Sequence, residues 1–260
     1  MPEPHIEVRD LSKRWLTRDG AVPALERVSL QVAPQEFVTV LGPSGCGKST
    51  LLSIIGGLVP PDAGEVRVGG EPLRGPDPRK VAMVFQDPGL FPWRTALENV
   101  EFGLELMRVP AARRRETARS LLGPVGLRGF EGRYPRELSG GMKQRVAIAR
   151  ALALDSPILL MDEPFGALDE QTRLLMGEWL LGIWAKTRKT VVFVTHSLQE
   201  AIMLSQRVLV MTARPGRIKA SFEVTLPWPR DLGGPEATAL RAALWEGIRE
   251  EALRAMESGQ

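Results

Sequence analysis

Residues 38–52 read VTVLGPSGCGKSTLL, which is an apolar run, a glycine-rich turn and a second apolar run. The run from Phe37 to Leu41 is typical of a buried strand, and the run from Leu51 to Ile55 suits a buried helix. The turn has the form G-x-x-x-x-G-K-[ST]. Its position between a strand and a helix is the context that identifies a phosphate-binding P-loop rather than an ordinary turn.

The chemistry of this turn suits a nucleotide. Glycines let successive backbone N–H groups point at one anion, and the dipole of the following helix adds to the cradle. The Lys48 side chain can reach the β- and γ-phosphates, and the Ser49 hydroxyl can bind Mg²⁺. The sequence therefore predicts a nucleotide site formed by consecutive residues, namely Gly42, Pro43, Ser44, Gly45, Cys46, Gly47, Lys48, Ser49 and Thr50.

The composition argues against a nucleic-acid or membrane-spanning protein. Net charge is only +3 over 260 residues, and Glu116 directly follows the densest basic run, Arg113 to Arg115, which is typical of a solvated helix face. Cys46 is the single cysteine, which excludes an internal disulfide and fits a reducing cytosol. Met1 to His5 lacks a signal-peptide pattern, and no apolar run has the length of a membrane span. We expect any membrane role to require a partner.

The first part of the chain predicts antiparallel strands, because apolar residues alternate between residues 6 and 40. Trp15 lies among them, where its ring could stack on adenine or simply pack half-buried. Residues 65–68 and 81–85 predict further strands, the second fully buried. Gln86 ends that second run, and its amide could reach Mg²⁺ or an attacking water, or could cap the turn that follows.

Helical patterns then replace strands, over residues 96–107, 111–122 and 142–154. We interpret residues 87–154 as a helical insertion within an α/β domain. Ser139, Gly140 and Gly141 precede the third helix, which makes a second anion-binding helix N-terminus in the same chain. An ordinary N-cap needs only the serine, so the paired glycines indicate the close approach of a ligand.

Two polar strand ends follow. Residues 158–163 predict a buried parallel strand that ends in Asp162, placed to hold Mg²⁺, and Glu163, placed to accept a proton from attacking water. Both carboxylates could instead be turn residues, although the P-loop favours the functional interpretation. Asp169 lies a little further on, at a loop mouth. Residues 190–195 predict another buried strand, and His196 follows it on the edge that also carries Gly42, Gln86 and Glu163.

The end of the chain predicts a core strand at residues 207–211, an edge strand at 221–226 and a linker to a closing helix. One apolar face of that helix is predicted to comprise Leu240, Leu244, Ile248, Leu253 and Met256.

In its order and spacing of motifs, the chain resembles the ATP-binding subunits of ABC transporters over nearly its whole length. Trp15 falls where that family places its adenine-stacking aromatic residue. The motifs are Walker A at Gly42–Thr50, the Q-loop at Gln86, the signature motif at Leu138–Met142, Walker B at Ile158–Glu163, the D-loop at Ala167–Asp169 and the switch histidine at His196. Phe91–Thr95 and Ala213–Ile218 resemble the nitrate, sulfonate and taurine importers within the family.

The resemblance implies a fold. It is an α/β fold of the P-loop NTPase (RecA-like) type, with a mostly parallel sheet, an N-terminal antiparallel β subdomain and an inserted α-helical subdomain. We expect one domain over residues 1–260. Its α/β core would comprise residues 1–86 and 155–226, its helical subdomain residues 87–154, and its linker and last helix residues 227–260.

The resemblance also implies a mechanism. Two copies would pair head to tail, so that Ser139, Gly140 and Gly141 of one copy complete the P-loop site of the other. Glu163 would be the general base, His196 would position the γ-phosphate and water, and Asp169 would couple the two sites. ATP and Mg²⁺ are the implied cofactors, and the implied metal ligands are Ser49, Gln86 and Asp162.

The implied partners are integral membrane permease subunits and, indirectly, a periplasmic or lipid-anchored solute-binding protein, with no nucleic acid. The chain would lie peripherally on the cytoplasmic face of the cell membrane. Phe91 and Trp93 would line the groove that receives the permease or would pack the helical insertion. A thiol reagent at Cys46 is expected to block the site, and ATP to protect it. The transported solute does not contact this subunit, so the sequence does not identify it.

Two alternatives come from other classes: an ABC-type ATPase acting on nucleic acid or ribosomes, and a small-molecule P-loop kinase. An ABC-type ATPase acting on DNA would carry a long coiled coil, and this chain has no long heptad region. A ribosome-acting member would usually carry two ATPase units, whereas this chain has a single signature motif. A small-molecule P-loop kinase would lack that motif and the Asp-Glu-Pro at residues 162–164.

Overall fold

The computed structural model describes residues 3–18 and 20–257. Met1 and Pro2 of the N-terminal stretch, and residues 258–260 of the predicted linker-and-helix segment, lie outside the described residues. Short π and 3₁₀ turns occupy Gly123–Leu127 and Pro135–Glu137. The strands are β1 Ile6–Thr17, β2 Gly20–Val32, β3 Phe37–Leu41, β4 Ala63–Val68, β5 Glu71–Pro72, β6 Val81–Val84, β7 Ile158–Asp162, β8 Thr190–Thr195, β9 Arg207–Met211 and β10 Ile218–Glu223. The helices are α1 Lys48–Ile55, α2 Ala96–Leu106, α3 Ala111–Leu122, α4 Gly140–Ala153, α5 Glu170–Thr187, α6 Leu198–Leu204 and α7 Pro235–Glu257.

The chain forms two compact units. The first unit comprises Met1–Asp77 and Lys189–Gln260, and the second comprises Pro78–Arg188. The second unit is longer than the helical insertion predicted at residues 87–154, because it also contains β6, β7 and α5. Within the described residues, no helix has both the length and the apolar content needed to cross a bilayer.

An antiparallel sheet in the order β2-β1-β4-β5 belongs to the first unit. Ile6 and Val8 of β1 pair with Val32 and Leu30 of β2, and these four apolar residues are buried. Alternating positions of a strand face one side of a sheet, so this pairing puts the apolar side chains on a common face. The predicted antiparallel strands before the P-loop are therefore confirmed.

A second sheet of the first unit carries the P-loop. Its strands in the first unit run in the order β10-β9-β3-β8, with β3 parallel to both β8 and β9. Every residue of β3 is buried, which is why it reads as a continuous apolar run. Leu41 pairs with Thr195, so the two residues that follow them, Gly42 and His196, leave the sheet at the same edge.

In the second unit, β6 and β7 are parallel, with Val84 opposite Met161. Gln86 and Glu163 each follow two residues later and so leave at the same edge. The three predicted helices are confirmed as α2, α3 and α4. Helix α2 begins with a capping box, in which the Glu98 N–H donates to the Thr95 hydroxyl at 3.2 Å and the Thr95 N–H donates to the Glu98 carboxylate at 2.8 Å.

Some predicted boundaries were wrong. Phe85 lies beyond the end of β6 and is exposed, because the chain turns away before Gln86. Helix α4 begins at Gly140 rather than Met142. The edge strand β10 begins at Ile218 rather than residue 221, since Ile218, Ala220 and Phe222 alternate with exposed neighbours from that point.

The predicted apolar face of α7 was wrong in its last two turns. Leu253 and Met256 are 52% and 76% exposed. The buried residues of α7 are Ala237, Leu244, Ile248, Glu251 and Ala255, which recur at helical spacing along one side. Leu244 and Ile248 belong to an apolar cluster with Val210 of β9. The helix thus directs one carboxylate, that of Glu251, into the protein.

Candidate functional site

The P-loop of the first unit has the backbone geometry of an anion cradle. Gly47 adopts φ 105° immediately before α1, where no side chain caps the helix. A Cβ at Gly47 would lie 2.7 Å from the carbonyl oxygen of Ala24 and 2.8 Å from Cδ2 of Leu25, so only glycine fits. The first-turn N–H groups of α1 have no side-chain acceptor at the N-cap, which leaves this helix end suited to a phosphate.

The Lys48 side chain lies across this loop. It is only 4% exposed, and Nζ donates hydrogen bonds to the carbonyl oxygens of Gly42 at 3.0 Å and Pro43 at 2.9 Å. A buried ammonium needs such partners, because its desolvation is costly. The two carbonyls therefore hold a positive charge at the place where the P-loop motif puts a triphosphate.

Cys46 is buried within the P-loop. Its side chain is 0% exposed, and a Cβ at Gly42 would lie 2.8 Å from its Sγ. The thiol is therefore inside the protein, and its alkylation requires the loop to open. Block of the site by a thiol reagent, with protection by ATP, stays a prediction.

Trp15 lies next to the end of the P-loop. Its indole N–H donates to the Thr50 hydroxyl at 3.3 Å, and the residue is 42% exposed. The Lys13 ammonium lies 5.4 Å from the ring centroid and is held by the Asp62 carboxylate at 2.8 Å. The ring is thus fixed beside the loop with part of its surface open, and adenine stacking stays a prediction.

We expect Trp15→Ala to weaken ATP binding by about 5- to 100-fold, because stacking of a base on an aromatic ring contributes about 1–3 kcal/mol. Trp15→Phe keeps an aromatic face but loses the indole N–H that bonds Thr50. Its dissociation constant for ATP should therefore stay near the wild-type value. Isothermal titration calorimetry measures both variants, and wild-type affinity in Trp15→Ala would rule out stacking.

His196 is exposed directly after β8, and its neighbours fix its backbone. The buried Thr195 hydroxyl donates to the Glu200 carboxylate at 2.5 Å and accepts from the Ser197 N–H at 3.0 Å. Ser197 in turn caps α6, where its hydroxyl accepts from the Glu200 N–H at 3.3 Å. Sequence reasoning missed this Thr195–Glu200 pair, which holds the turn that presents His196.

In the second unit, β7 ends at Asp162, and Glu163 follows it directly. Asp162 is buried, and Glu163 is partly exposed with φ 42°. A left-handed backbone costs a non-glycine residue roughly 1–2 kcal/mol. Six other non-glycine residues in the described part of the chain also have positive φ, so this conformation alone does not identify a functional residue, and the role of Glu163 stays a prediction.

Helix α4 holds the segment around Gln86. The Gln144 side-chain amide donates to the carbonyl oxygen of Phe85 at 3.1 Å. The Arg150 guanidinium donates to the carbonyl oxygens of Pro88 at 2.7 Å and Gly89 at 2.8 Å, and burial lowers the pKa of Arg150. Gln86 itself is exposed between these anchors. The sequence did not predict the anchoring roles of Gln144 and Arg150, because polar residues at helical spacing usually indicate an ordinary polar face.

The signature motif forms the exposed N-terminus of α4. The Ser139 hydroxyl accepts from the Met142 N–H at 3.2 Å, which makes it the N-cap. A Cβ at Gly141 would lie 2.9 Å from Cδ2 of Leu168, so packing against the D-loop explains that glycine. A Cβ at Gly140 would meet nothing within 4 Å, so packing within the described chain does not explain that one.

Asp169 caps α5. Its carboxylate accepts from the Thr172 N–H at 2.9 Å and from the Thr172 hydroxyl at 2.7 Å. These bonds hold the pKa of Asp169 below its usual value. Its side chain therefore already has a local structural function, and the coupling of two nucleotide sites stays a prediction.

The residues predicted to hold Mg²⁺ have suitable chemistry. Ser49 offers an exposed hydroxyl in the first unit, and Asp162 and Gln86 offer a carboxylate and an amide in the second. All three are hard oxygen donors, which Mg²⁺ prefers, and Mg²⁺ at phosphate sites usually takes only one or two carboxylates from the protein. The donor set thus fits the ion.

Comparison with known proteins identifies the family of this chain. The family model described as ABC transporter matches residues 25–166. Three similar proteins are the nitrate import ATP-binding protein of Synechocystis (47% identity, 86% of this chain and 84% of that protein), the taurine import ATP-binding protein of Yersinia pestis (48%, 80% and 81%) and the aliphatic sulfonates import ATP-binding protein of Bacillus cereus (42%, 98% and 96%).

A solved structure also matches this chain. An ATP-binding cassette, determined as a dimeric post-hydrolysis state bound to ADP and Pi, aligns with a TM-score of 0.78 at 35% identity, over 84% of this chain and 98% of that one. The chain therefore belongs to the ABC transporter family, as an ATPase cassette with the predicted α/β P-loop fold. The predicted resemblance to the nitrate, sulfonate and taurine import group is confirmed.

Proposed function

We propose that this chain is the ATP-hydrolysing subunit of an ABC importer for a small solute such as a sulfonate, taurine, nitrate or a similar compound. In this proposal two copies close head to tail on ATP and separate after hydrolysis. The subunit works peripherally at the cytoplasmic face of the membrane, bound to permease subunits that receive solute from a binding protein. The import functions of the three similar proteins and the dimeric state of the solved cassette support it.

The exposed N-terminus of α4 is the observation that supports the head-to-tail arrangement. The P-loop already has its own helix end, at α1, for one phosphate group. The N-terminus of α4, with Ser139 as cap and an unobstructed Gly140, is a second such end. A second copy of the chain would supply a triphosphate for it, and the two-fold arrangement would give two equivalent sites.

The proposed roles follow from each side chain's chemistry. Lys48 would bind the β- and γ-phosphates, Glu163 would accept a proton from the attacking water, and His196 and Gln86 would orient that water and the γ-phosphate. Ser49, Asp162 and Gln86 would hold Mg²⁺, which neutralises phosphate charge when bound. Asp169 would link the two sites of the dimer.

Reconstitution with a permease tests this proposal. The chain is co-expressed with a candidate permease, chosen from the neighbouring genes, and the purified complex is placed in vesicles with the candidate binding protein. We expect ATP-dependent uptake of the solute that the binding protein binds. Stimulation of ATPase activity by DNA or ribosomes, without a permease complex, would contradict the importer and favour the alternative class.

The permease contact would lie beside Trp93. Phe91 packs inward, with its ring centroid 4.4 Å from that of Phe102, and its N–H donates to the Asn99 side chain at 2.8 Å. Trp93, by contrast, is 70% exposed and borders a cleft of about 570 Å³. Charged residues of both signs line the cleft, among them Glu101, Arg114 and Arg115. Of the two aromatic residues, Trp93 is the more exposed and is therefore the better placed for docking.

We expect Trp93→Ala to lower solute uptake by about 10-fold or more, because exposed tryptophans at interfaces often contribute 2 kcal/mol or more to binding. Basal ATPase activity of the isolated subunit should not change. Trp245→Ala, at a half-exposed tryptophan on α7, is the control and should transport normally. Unchanged uptake by Trp93→Ala would remove this residue from the permease contact.

A further inference from the structure

The loop between β9 and β10, residues 212–217, is closed by its own hydrogen bonds. The Thr212 N–H donates to the Arg217 carbonyl oxygen at 2.9 Å, and the Arg217 N–H donates to the Thr212 hydroxyl at 3.0 Å. That hydroxyl donates to the Pro215 carbonyl oxygen at 2.9 Å. Because these hydrogen bonds join the two ends of the loop, the loop can move as one unit when an element that contacts it moves.

One neighbour of this loop is the P-loop. The Arg214 guanidinium donates to the carbonyl oxygen of Gly45, with Nε at 3.3 Å and Nη2 at 3.2 Å. A Cβ at Gly216 would overlap the carbonyl oxygen of Cys46 and the end of the Met211 side chain. The loop therefore contacts two successive peptide groups of the P-loop.

The orientation of the first of these peptide groups matters for phosphate binding. In a planar trans peptide the carbonyl and the following N–H point in opposite directions. By holding the Gly45 carbonyl, Arg214 fixes the plane of the Gly45–Cys46 peptide, whose N–H donates to the Pro43 carbonyl oxygen at 3.4 Å within the loop. The turn closed by that bond sets the shape of the P-loop backbone, on which its phosphate-binding N–H groups depend.

The other neighbour of the loop is α7. Glu251 is almost fully buried, and its carboxylate accepts from the Ala213 N–H at 2.9 Å and from Nζ of Lys219 at 2.9 Å. Burial acts to raise the pKa of Glu251, but the bonds from Lys219 and Ala213 lower it overall, so the group is ionised at neutral pH. Glu251 thus holds the residue next to Arg214.

The apolar side of α7 fixes the position of that carboxylate. Leu244 and Ile248 pack in one cluster with Val210 of β9 and with Leu41, the residue before the P-loop. Helix α7 therefore packs on β9, the strand that leads into residues 212–217, and shares one core cluster with β3, the strand that leads into the P-loop.

We propose that Glu251 and Arg214 are positioning residues for the nucleotide, and that α7 braces the P-loop through the loop at residues 212–217. Glu251 holds the Ala213 N–H, and Arg214 holds the Gly45 carbonyl, so that the Gly45–Cys46 peptide keeps the orientation that closes the P-loop turn. This inference rests on the proposed ATP site at the P-loop. It gives the C-terminal helix a function in nucleotide affinity.

The test compares nucleotide affinity with turnover in the full chain. In Arg214→Ala we expect the dissociation constant and KM for ATP to rise about 2- to 10-fold, the range for losing one hydrogen bond, with kcat unchanged. Arg217→Ala is the matched control, because it lies in the same loop and its guanidinium binds the Glu26 carboxylate at 2.7 Å. It should keep the wild-type KM.

Two variants of Glu251 separate positioning from stability. Glu251→Ala removes the acceptor of the Ala213 N–H and should raise KM as much as Arg214→Ala does. Glu251→Gln keeps an acceptor oxygen but loses the charge opposite Lys219, so its melting temperature should fall while its KM stays near wild type. In the double variant Arg214→Ala/Glu251→Ala the two effects on KM should not add, because both act through one loop.

The following results would contradict the proposal that α7 braces the P-loop. A wild-type dissociation constant in Arg214→Ala, or an equal rise in Arg217→Ala, would overturn the brace and leave the ATP site intact. If KM rises in Glu251→Gln as its melting temperature falls, the effect of Glu251 on KM reflects lost stability, and the brace is likewise overturned. Failure of the wild-type chain to bind ATP would overturn the ATP site and the brace together.

Discussion

Glu163→Gln is expected to lower ATP turnover by about 10²–10⁴-fold while ATP still binds, since that is the usual contribution of a general base. Glutamine keeps the size of the side chain but accepts no proton from water. ATP that joins two copies would then not be consumed, and the dimer should persist. Phosphate release measures turnover, and size-exclusion chromatography with light scattering measures the dimer in ATP and in ADP.

The control for this prediction is Glu178→Gln, on an exposed part of α5. It should hydrolyse ATP at the wild-type rate and dimerise only transiently. Near-normal hydrolysis by Glu163→Gln would remove Glu163 from the role of base. Loss of turnover without an ATP-dependent dimer would instead count against the head-to-tail arrangement.

Lys48→Met is expected to weaken ATP binding by about 10- to 100-fold and to lower turnover further. Methionine has a similar length but no charge, so it loses a charge-assisted bond to phosphate, of the kind that contributes about 1.5–3 kcal/mol. It also loses the bonds from Nζ to the carbonyl oxygens of Gly42 and Pro43. Calorimetric titration with ATP measures the affinity.

A thermal melt of the ligand-free chain accompanies this measurement, because Lys48 is buried and its loss could affect folding. Lys186→Met, at an exposed position in the last turn of α5, is the matched control and should bind ATP normally. If Lys48→Met keeps the wild-type melting temperature and affinity, the phosphates do not bind at this lysine.

Much of the fold and the candidate site could be predicted because each piece has a local pattern. The apolar run from Phe37 to Leu41 predicts a buried strand, and G-x-x-x-x-G-K-[ST] predicts the turn after it. Parallel strands that end in polar residues predict a common edge, and the pairing of Leu41 with Thr195 agrees with that for His196. Spacing along the chain is sufficient for features of this kind.

Other features could not be predicted, because they depend on residues far apart in sequence. The burial of Cys46 follows from the packing around Gly42, and nothing local distinguishes it from an exposed loop residue. The exposure of Leu253 and Met256 follows from which side of α7 meets the sheet, and apolar content alone pointed to the wrong side. The bond from Arg214 to Gly45 joins two loops that share no sequence signal.

The apolar cluster that joins Leu41 to Ile248 has a consequence for synthesis of the chain. Strand β3 and the P-loop leave the ribosome early, whereas β8, β9 and α7, which flank or support them, come from the last part of the sequence. Domains generally fold as units, and non-local contacts form slowly. The nascent P-loop must therefore wait for β8, β9 and α7 to be synthesised, and a translation product that stops before β8 would carry the Walker A motif without the strands that flank it.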